Sequence, residues 1–271
     1  MSYESRIPLG KTGLMVSRMG IGCSYGIGKS ALEEAFERGI NYFYFGTLRR
    51  LAMAQAVQHL SAAHRSELVV AIQSYARWPQ ILRKSAEFAL RKLRLDHADV
   101  LILGKSDKNP STQLVDELVR LRESGRVRFL AISAHQRSQF RSYIQNGVFD
   151  IIMVRYNAAH TGAEMEVFPH LSASGRPGVI CYTATRWGTL LKGTPGERVP
   201  AASDCYRFCL SQPQVDICLS GPKNRKEMED TLRVLDSPPM TADELAWMRR
   251  VGTAIYQQQA HNFLVRKLIF D

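Results

Sequence analysis

Gly39-Ile40-Asn41-Tyr42-Phe43-Tyr44-Phe45-Gly46-Thr47-Leu48-Arg49-Arg50 is the stretch on which the fold turns. Its apolar first half, residues 41–45, reads as a buried strand. It follows the amphipathic segment 29–38, in which Leu32, Ala35 and Phe36 share one helical face. Working outward, seven more short apolar runs follow the same rule: residues 19–23, 68–73, 100–104, 129–133, 151–156, 179–183 and 217–221. Helical patterns separate several of them. Residues 81–93 carry Phe88, Leu90 and Leu93, and 113–123 carry Leu114, Leu118 and Leu121. Eight strands alternating with helices predict a closed parallel sheet, because short right-handed βα crossovers leave few other topologies. The expected fold is α/β, a single (β/α)8 TIM barrel over residues 1–271. An N-terminal β-hairpin precedes it, formed by residues 7–17 around Gly10-Lys11-Thr12-Gly13. Pro195-Gly196 and Pro200 mark a long loop after the seventh strand, and residues 253–271 are expected to cover one barrel end.

Composition narrows the function classes. The chain has 271 residues and 45% hydrophobic content, enough for a barrel of about 250 residues. It has no apolar run of about 18 residues and no apolar leader after Met1, so a cytoplasmic protein with no membrane span is expected. The five cysteines, Cys23, Cys181, Cys205, Cys209 and Cys218, read as buried thiols. Cys205 and Cys209 share a helix face, but no second Cys or His pair completes a zinc site, and no metal is expected. The formal charge is +11, with 36 Lys+Arg against 25 Asp+Glu. The basic residues are scattered at helical spacing, which argues for solvated faces and against nucleic-acid binding. An oligomer is compatible with all of this.

Several motifs in the right order resemble the aldo-keto reductase superfamily. Leu9-Gly10-Lys11-Thr12-Gly13-Leu14-Met15-Val16-Ser17 resembles its opening hairpin. Ala89 to Val100, Glu123-Ser124-Gly125-Arg126-Val127-Arg128 and Tyr156-Asn157 resemble its stretches before strands four and five and at the end of strand six. The opening stretch resembles the family's Gly-Ile-Asn-x-Phe-Asp-Thr-Ala, which has a Tyr five residues after the Asp.

The resemblance implies an NADPH-dependent reductase in which a Tyr donates a proton, a Lys lowers its pKa, an Asp holds the Lys and a His polarises the carbonyl. At those positions this chain carries Tyr44 for the Asp, Arg49 for the Tyr, Gln73 for the Lys and Gly104 for the His. The cofactor positions implied are Ser133, Tyr182, Gly221, Lys223 and Arg225, while Ala134 and Met153 replace polar residues. Glu227 stands where the family often places a cation against the adenosine phosphate, which argues against tight NADP binding.

Residues two apart on a strand face the same way, and barrel sites lie at the strand carboxyl ends. That end is expected to gather Tyr44, Arg49, Arg50, Gln73, Lys105, His135, Arg155, His160 and Arg186. Such a cationic mouth predicts an anionic small-molecule ligand held by Arg50, Lys105, Arg155 and Arg186 with Arg49 nearby. An ion pair between Arg155 and Glu164 would serve equally to explain that arginine. The stretch Gly22-Cys23-Ser24-Tyr25-Gly26-Ile27-Gly28-Lys29-Ser30 ends like a phosphate-binding loop, but Cys23 stands where that motif needs its first glycine.

Three functions fit. One is a divergent barrel with a retained pocket but without the standard carbonyl-reducing set. Another is an NAD(P)H-dependent oxidoreductase with Tyr44 as proton donor. The third is a non-catalytic binding or regulatory subunit.

Overall fold

Parallel strands buried on both faces need apolar residues at every position, and the chain supplies them in runs such as Val69-Val70-Ala71-Ile72 and Val100-Leu101-Ile102-Leu103. In the computed structural model, which describes residues 3–46, 51–171 and 174–270 (side chains through 258), these runs close into a barrel. A two-stranded antiparallel hairpin comes first, β1 (Ile7–Pro8) with β2 (Met15–Val16). The barrel strands are β3 (Met19–Gly22), β4 (Tyr42–Phe45), β5 (Val69–Ser74), β6 (Ala98–Leu103), β7 (Val127–Ala134), β8 (Ile151–Arg155), β9 (Gly178–Tyr182) and β10 (Ile217–Ser220). They pair in sequence order, and β10 returns to β3.

The strand period divides the core into two. Tyr42, Val69, Ala71, Val100, Ile102, Ala131, Ile151, Met153, Ile180, Ile217 and Leu219 fill the lumen. The alternate residues face a larger outer core under the helices. Full burial of each Val, Leu or Ile contributes about 1.5–3 kcal/mol. The hairpin plugs the amino-terminal end of the lumen: Leu9, Leu14 and Val16 join the inner cluster, and Gly10 lies directly on the backbone of Gly178.

The helices are α1 (Lys29–Glu37), α2 (Leu51–His64), α3 (Pro79–Leu93), α4 (Thr112–Glu123), α5 (Gln139–Asn146), α6 (Ala163–Glu166), α7 (Ala202–Leu210), α8 (Arg225–Leu232) and α9 (Ala242–Phe270). α3 opens on a proline, whose missing N–H costs nothing at that position. α4 is capped by the Ser111 hydroxyl, which accepts from Leu114 N at 3.3 Å. No described helix is long and apolar enough to cross a membrane.

The last helix begins earlier than the expected boundary at residue 253. A reciprocal cap fixes its start: Glu244 N donates to Thr241 Oγ1 (3.2 Å) and Thr241 N donates to a Glu244 carboxylate oxygen (2.8 Å). α9 does reach the carboxyl end of the barrel, where Gly252 packs against the carbonyl of Ala158 beyond β8.

A side-chain device repeats four times around the amino-terminal end. Asn41 Oδ1 accepts from Ser17 N (2.9 Å), Asp99 Oδ2 from Val70 N (2.9 Å), Asp150 Oδ2 from Leu130 N (3.0 Å) and Asp216 Oδ2 from Val179 N (2.8 Å). Each side chain stands at the entry to β4, β6, β8 or β10 and holds a backbone N–H of the preceding strand or, at Ser17, of the approach to it. Sequence spacing showed no repeat beyond βα alternation, because helix and loop lengths between the four positions differ.

Candidate functional site

Strand carboxyl ends expose the last lumen residues to the loops above them. In this chain they open into a cavity of about 630 Å³. Its floor is Tyr44, Gln73, Met153, Tyr182 and Leu219, and its far wall runs from Ser220 and Gly221 to Lys223, Glu227 and Asp230 on and before α8. The lining is rich in rings, with Tyr25, Tyr75, Trp187 and Tyr206 beside Tyr44 and Tyr182.

The floor residues pack as a set. Tyr44 donates its hydroxyl hydrogen bond to Gln73 Oε1. Its ring folds back over Gly46, where a Cβ would lie 2.5 Å from ring carbon Cζ. Gln73 and Tyr75 occupy the space that any side chain at Gly104 would need, and a Cβ there would lie 2.7 Å from Tyr75 Cε1 and closer still to the Gln73 amide. Burial raises the Tyr44 pKa well above the ordinary phenol value, so this hydroxyl stays neutral. Burial likewise pushes Tyr182 up to about 12.

The backbone around the mouth is unusual. Lys105, Thr183, Arg186 and Trp187 all adopt left-handed φ values of 52–59°. A β-branched residue such as Thr183 rarely does so, and strain of this kind gathers at functional loops. The Ser133 hydroxyl accepts from Lys105 N at 3.1 Å and holds that turn over the cavity.

The sequence-derived candidates divide into three groups. Tyr44, Gln73, Lys105, Ser133, Tyr182, Gly221 and Lys223 line the cavity. Arg155, Arg186 and Arg225 do not. Arg225 pairs with Glu34 of α1 at 3.1 Å. Arg155 turns away beneath Trp187, with its guanidinium 5.3 Å from the ring centroid and Nη2 on His160 Nε2. Arg186 is buried beside Arg155 and Tyr256. Arg49 and Arg50 lie outside the described residues.

Glu164, the acid named as an alternative partner for Arg155, accepts from the Tyr156 hydroxyl (2.6 Å) and pairs with Arg249 (3.0 Å). His160 is depressed to about 4 by burial and then by Arg155, Arg186 and Arg137. The arginines therefore form a cluster beside the cavity. Within the cavity lining, Lys105 and Lys223 are accompanied by the acids Glu227 and Asp230. The aromatic lining contributed by Tyr25, Tyr75 and Tyr206 was missed; only Tyr75 had a signal, two residues beyond Gln73 on the same strand face.

The aldo/keto reductase family model matches residues 28–204, from the turn before α1 into α7. The chain belongs to the aldo/keto reductase family. It is 27% identical over 229 residues to L-galactose dehydrogenase of Arabidopsis thaliana, covering 72% of this chain and 70% of that one. It is 24% identical to the NADH-specific methylglyoxal reductase of Escherichia coli (strain K12), covering 70% and 69%. Among solved structures, the holo form of the aldo-keto reductase AKR11C1 from Bacillus halodurans superposes with a TM-score of 0.78 at 20% identity, covering 92% of this chain and 96% of that one. A Klebsiella pneumoniae aldo/keto reductase in complex with NADP and acetate gives 0.76 at 16% identity, with the same coverage. The family membership carries an aldo-keto-reductase-like oxidoreductase fold.

Proposed function

We propose that this chain is a divergent aldo/keto reductase whose cavity binds an anionic, ring-bearing small molecule and which does not carry out ordinary ketone reduction. The carrying observation is the floor: Tyr44 hydrogen-bonded to Gln73, with Gly46 and Gly104 leaving room for the new side chains. In the family's chemistry a cation beside the proton-donating Tyr lowers its pKa. Here the partner of Tyr44 is a neutral amide and burial drives the pKa the other way. Loss of a positioned proton donor costs about 10²–10⁴ in rate.

The ligand that best fits the lining is a nicotinamide dinucleotide. Tyr182 offers a ring face on the cavity floor, and the far wall offers Lys223 for a phosphate. Such a cofactor supplies a hydride. The same wall carries Glu227 and Asp230, whose charges repel a ribose 2′-phosphate and can accept from a 2′-hydroxyl. This favours NADH over NADPH. Arg49 and Arg50, which follow β4 in the sequence and lie outside the described residues, are further candidates to hold the anion. Glu227 is already partly committed, because one of its oxygens accepts from Lys223 N at 2.9 Å.

Calorimetric titration of the purified chain with NADH and NADPH tests the reading, alongside aldehyde-dependent oxidation of each. Micromolar NADH binding, weaker NADPH binding and negligible aldehyde reduction are expected. Rapid reduction abolished by Tyr44→Phe would replace this reading with a second one, favoured by the position of the Tyr44 hydroxyl at the cavity floor: an oxidoreductase using Tyr44 as its donor. No binding of either dinucleotide would remove both.

A further inference from the structure

Three of the five cysteines meet in the outer core. Cys181 on β9 and Cys218 on β10 are direct register partners on neighbouring parallel strands. Cys209 comes down on them from α7. The three Sγ atoms all lie within 4.8 Å of one another, and each residue is fully buried. Cys205, the helix neighbour that sequence spacing had paired with Cys209, is not part of this group.

Sulfur is a soft donor, and three converging sulfurs select soft ions such as Cu(I) or Zn. A trigonal ion bonded at about 2.3 Å holds its three sulfurs about 4.0 Å apart, so the group needs only a small contraction. Structural zinc sites are closed by four protein ligands. No fourth His, Cys, Asp or Glu joins the three among the described residues, and the neighbouring polar atom is the Tyr156 carbonyl, which accepts from Cys209 Sγ at 3.4 Å. Three sulfurs without a fourth protein ligand fall short of the closed zinc shell and match the trigonal coordination open to a soft monovalent ion.

The surrounding charge is compatible with a monovalent ion. The Arg18 guanidinium, fixed by the carbonyls of Leu210, Val215 and Asp216 at 3.0–3.2 Å, is close enough for its charge to act on Cys181 and Cys218. A buried charge needs a counter-charge, and Arg18 offers one positive charge.

We propose that Cys181, Cys209 and Cys218 form a binding site for Cu(I). On binding, two thiol protons leave to solvent, two Cu–S bonds form and the third sulfur completes the trigonal shell as a neutral donor. No electron is transferred. The resulting complex carries one negative charge, which Arg18 balances. The site lies behind the cavity wall, since Cys181 precedes the cavity residue Tyr182 and Cys209 shares α7 with Tyr206. It is independent of the reading of the cavity itself.

The test is an anaerobic titration of the reduced full-length chain with Cu(I) against the chelator bicinchoninate, on native protein and on protein refolded with the ion present. One copper per chain is expected, retained equally by Cys205→Ala. Cys181→Ser and Cys218→Ser each weaken it by at least about tenfold, the effect of losing a main bond. If those variants do not fold, X-ray absorption on the wild-type complex decides: a shell of sulfur alone upholds the site, and a nitrogen or oxygen shell overturns it. Copper retained by neither native nor refolded chain overturns it, as does Cys205→Ala losing as much affinity as Cys181→Ser.

Discussion

The two ends of the barrel solve the same problem, how to finish eight strands, in opposite ways. At the amino-terminal end four side chains clasp neighbouring strands, and the acids among them are paired with arginine or lysine. Asp99 holds Arg65 at 3.0 Å and Arg128 at 2.9 Å, Asp216 takes both ends of the Arg176 guanidinium at 2.6 and 2.8 Å, and Asp150 meets Arg122 and Lys11. At the carboxyl end four left-handed residues, Lys105, Thr183, Arg186 and Trp187, cluster around a cavity. Polar groups at the first end are spent on stability. Those at the second are held in place at a cost, as expected of a surface kept for a ligand.

Removing a clasp gives the largest expected effect. Asp99→Ala strands two arginines and the buried Val70 N–H together. The Asp99 carboxylate is fully buried, whereas Arg128 is half exposed and recovers water, so the loss is set at about 3 kcal/mol. Denaturant unfolding measures it. A loss below about 1 kcal/mol, comparable to Gln73→Ala on the cavity floor, would erase the contrast between the two ends.

The second effect appears with acid. His160 faces Arg155 from β8, Arg137 from the turn before α5, Arg186 from the loop after β9 and the ring of Tyr256 from α9. Its folded pKa of about 4 lies below the ordinary value of 6.5. Between those pH values the unfolded chain binds a proton that the folded chain refuses. Stability from this residue is therefore fully present above about pH 6.5 and is lost as pH falls toward 4. Partial exposure screens the effect to about 1–2 kcal/mol. His160→Asn should flatten that part of the pH–stability curve; an unchanged slope would mean that the arginines do not govern this side of the mouth.

The same contrast explains what could be read from the sequence. All eight strands were legible, because a strand buried on both faces announces itself as a continuous apolar run. Their ends moved by a residue or two: β7 starts at Val127 rather than 129, and β4 at Tyr42 rather than 41. The start of α9 was also written in the sequence, in Thr241 and Glu244, but a cap is a short signal beside a long helix. The mouth was less legible. Strand parity aims Arg155 at the lumen, yet it is the last residue of β8 and the chain beyond it carries its guanidinium under Trp187. The left-handed turns at Arg186 and Trp187 leave no compositional trace. Tyr75 apart, the aromatic wall and the three cysteines assemble from separate elements, so no local spacing could reveal them.

The smallest effect tests whether the floor is a co-adapted set or a series of independent losses. Gly46 is open enough for Tyr44 to fold over it, and an alanine Cβ would press on the ring at 2.5 Å. The ring borders the cavity and can shift, so Gly46→Ala in the native background is expected at the low end of overpacking, about 1 kcal/mol. In a Tyr44→Ala background the same change meets empty space and should cost almost nothing. The difference between the two, a coupling near 1 kcal/mol, is what contact between the residues requires. The same pair should couple in dinucleotide affinity, because the displaced ring moves toward the volume that a ligand would occupy. Additive effects in both measurements would mean that Tyr44 does not rest on Gly46 in solution, and the mouth would then be an unfilled version of the family site rather than a rebuilt one.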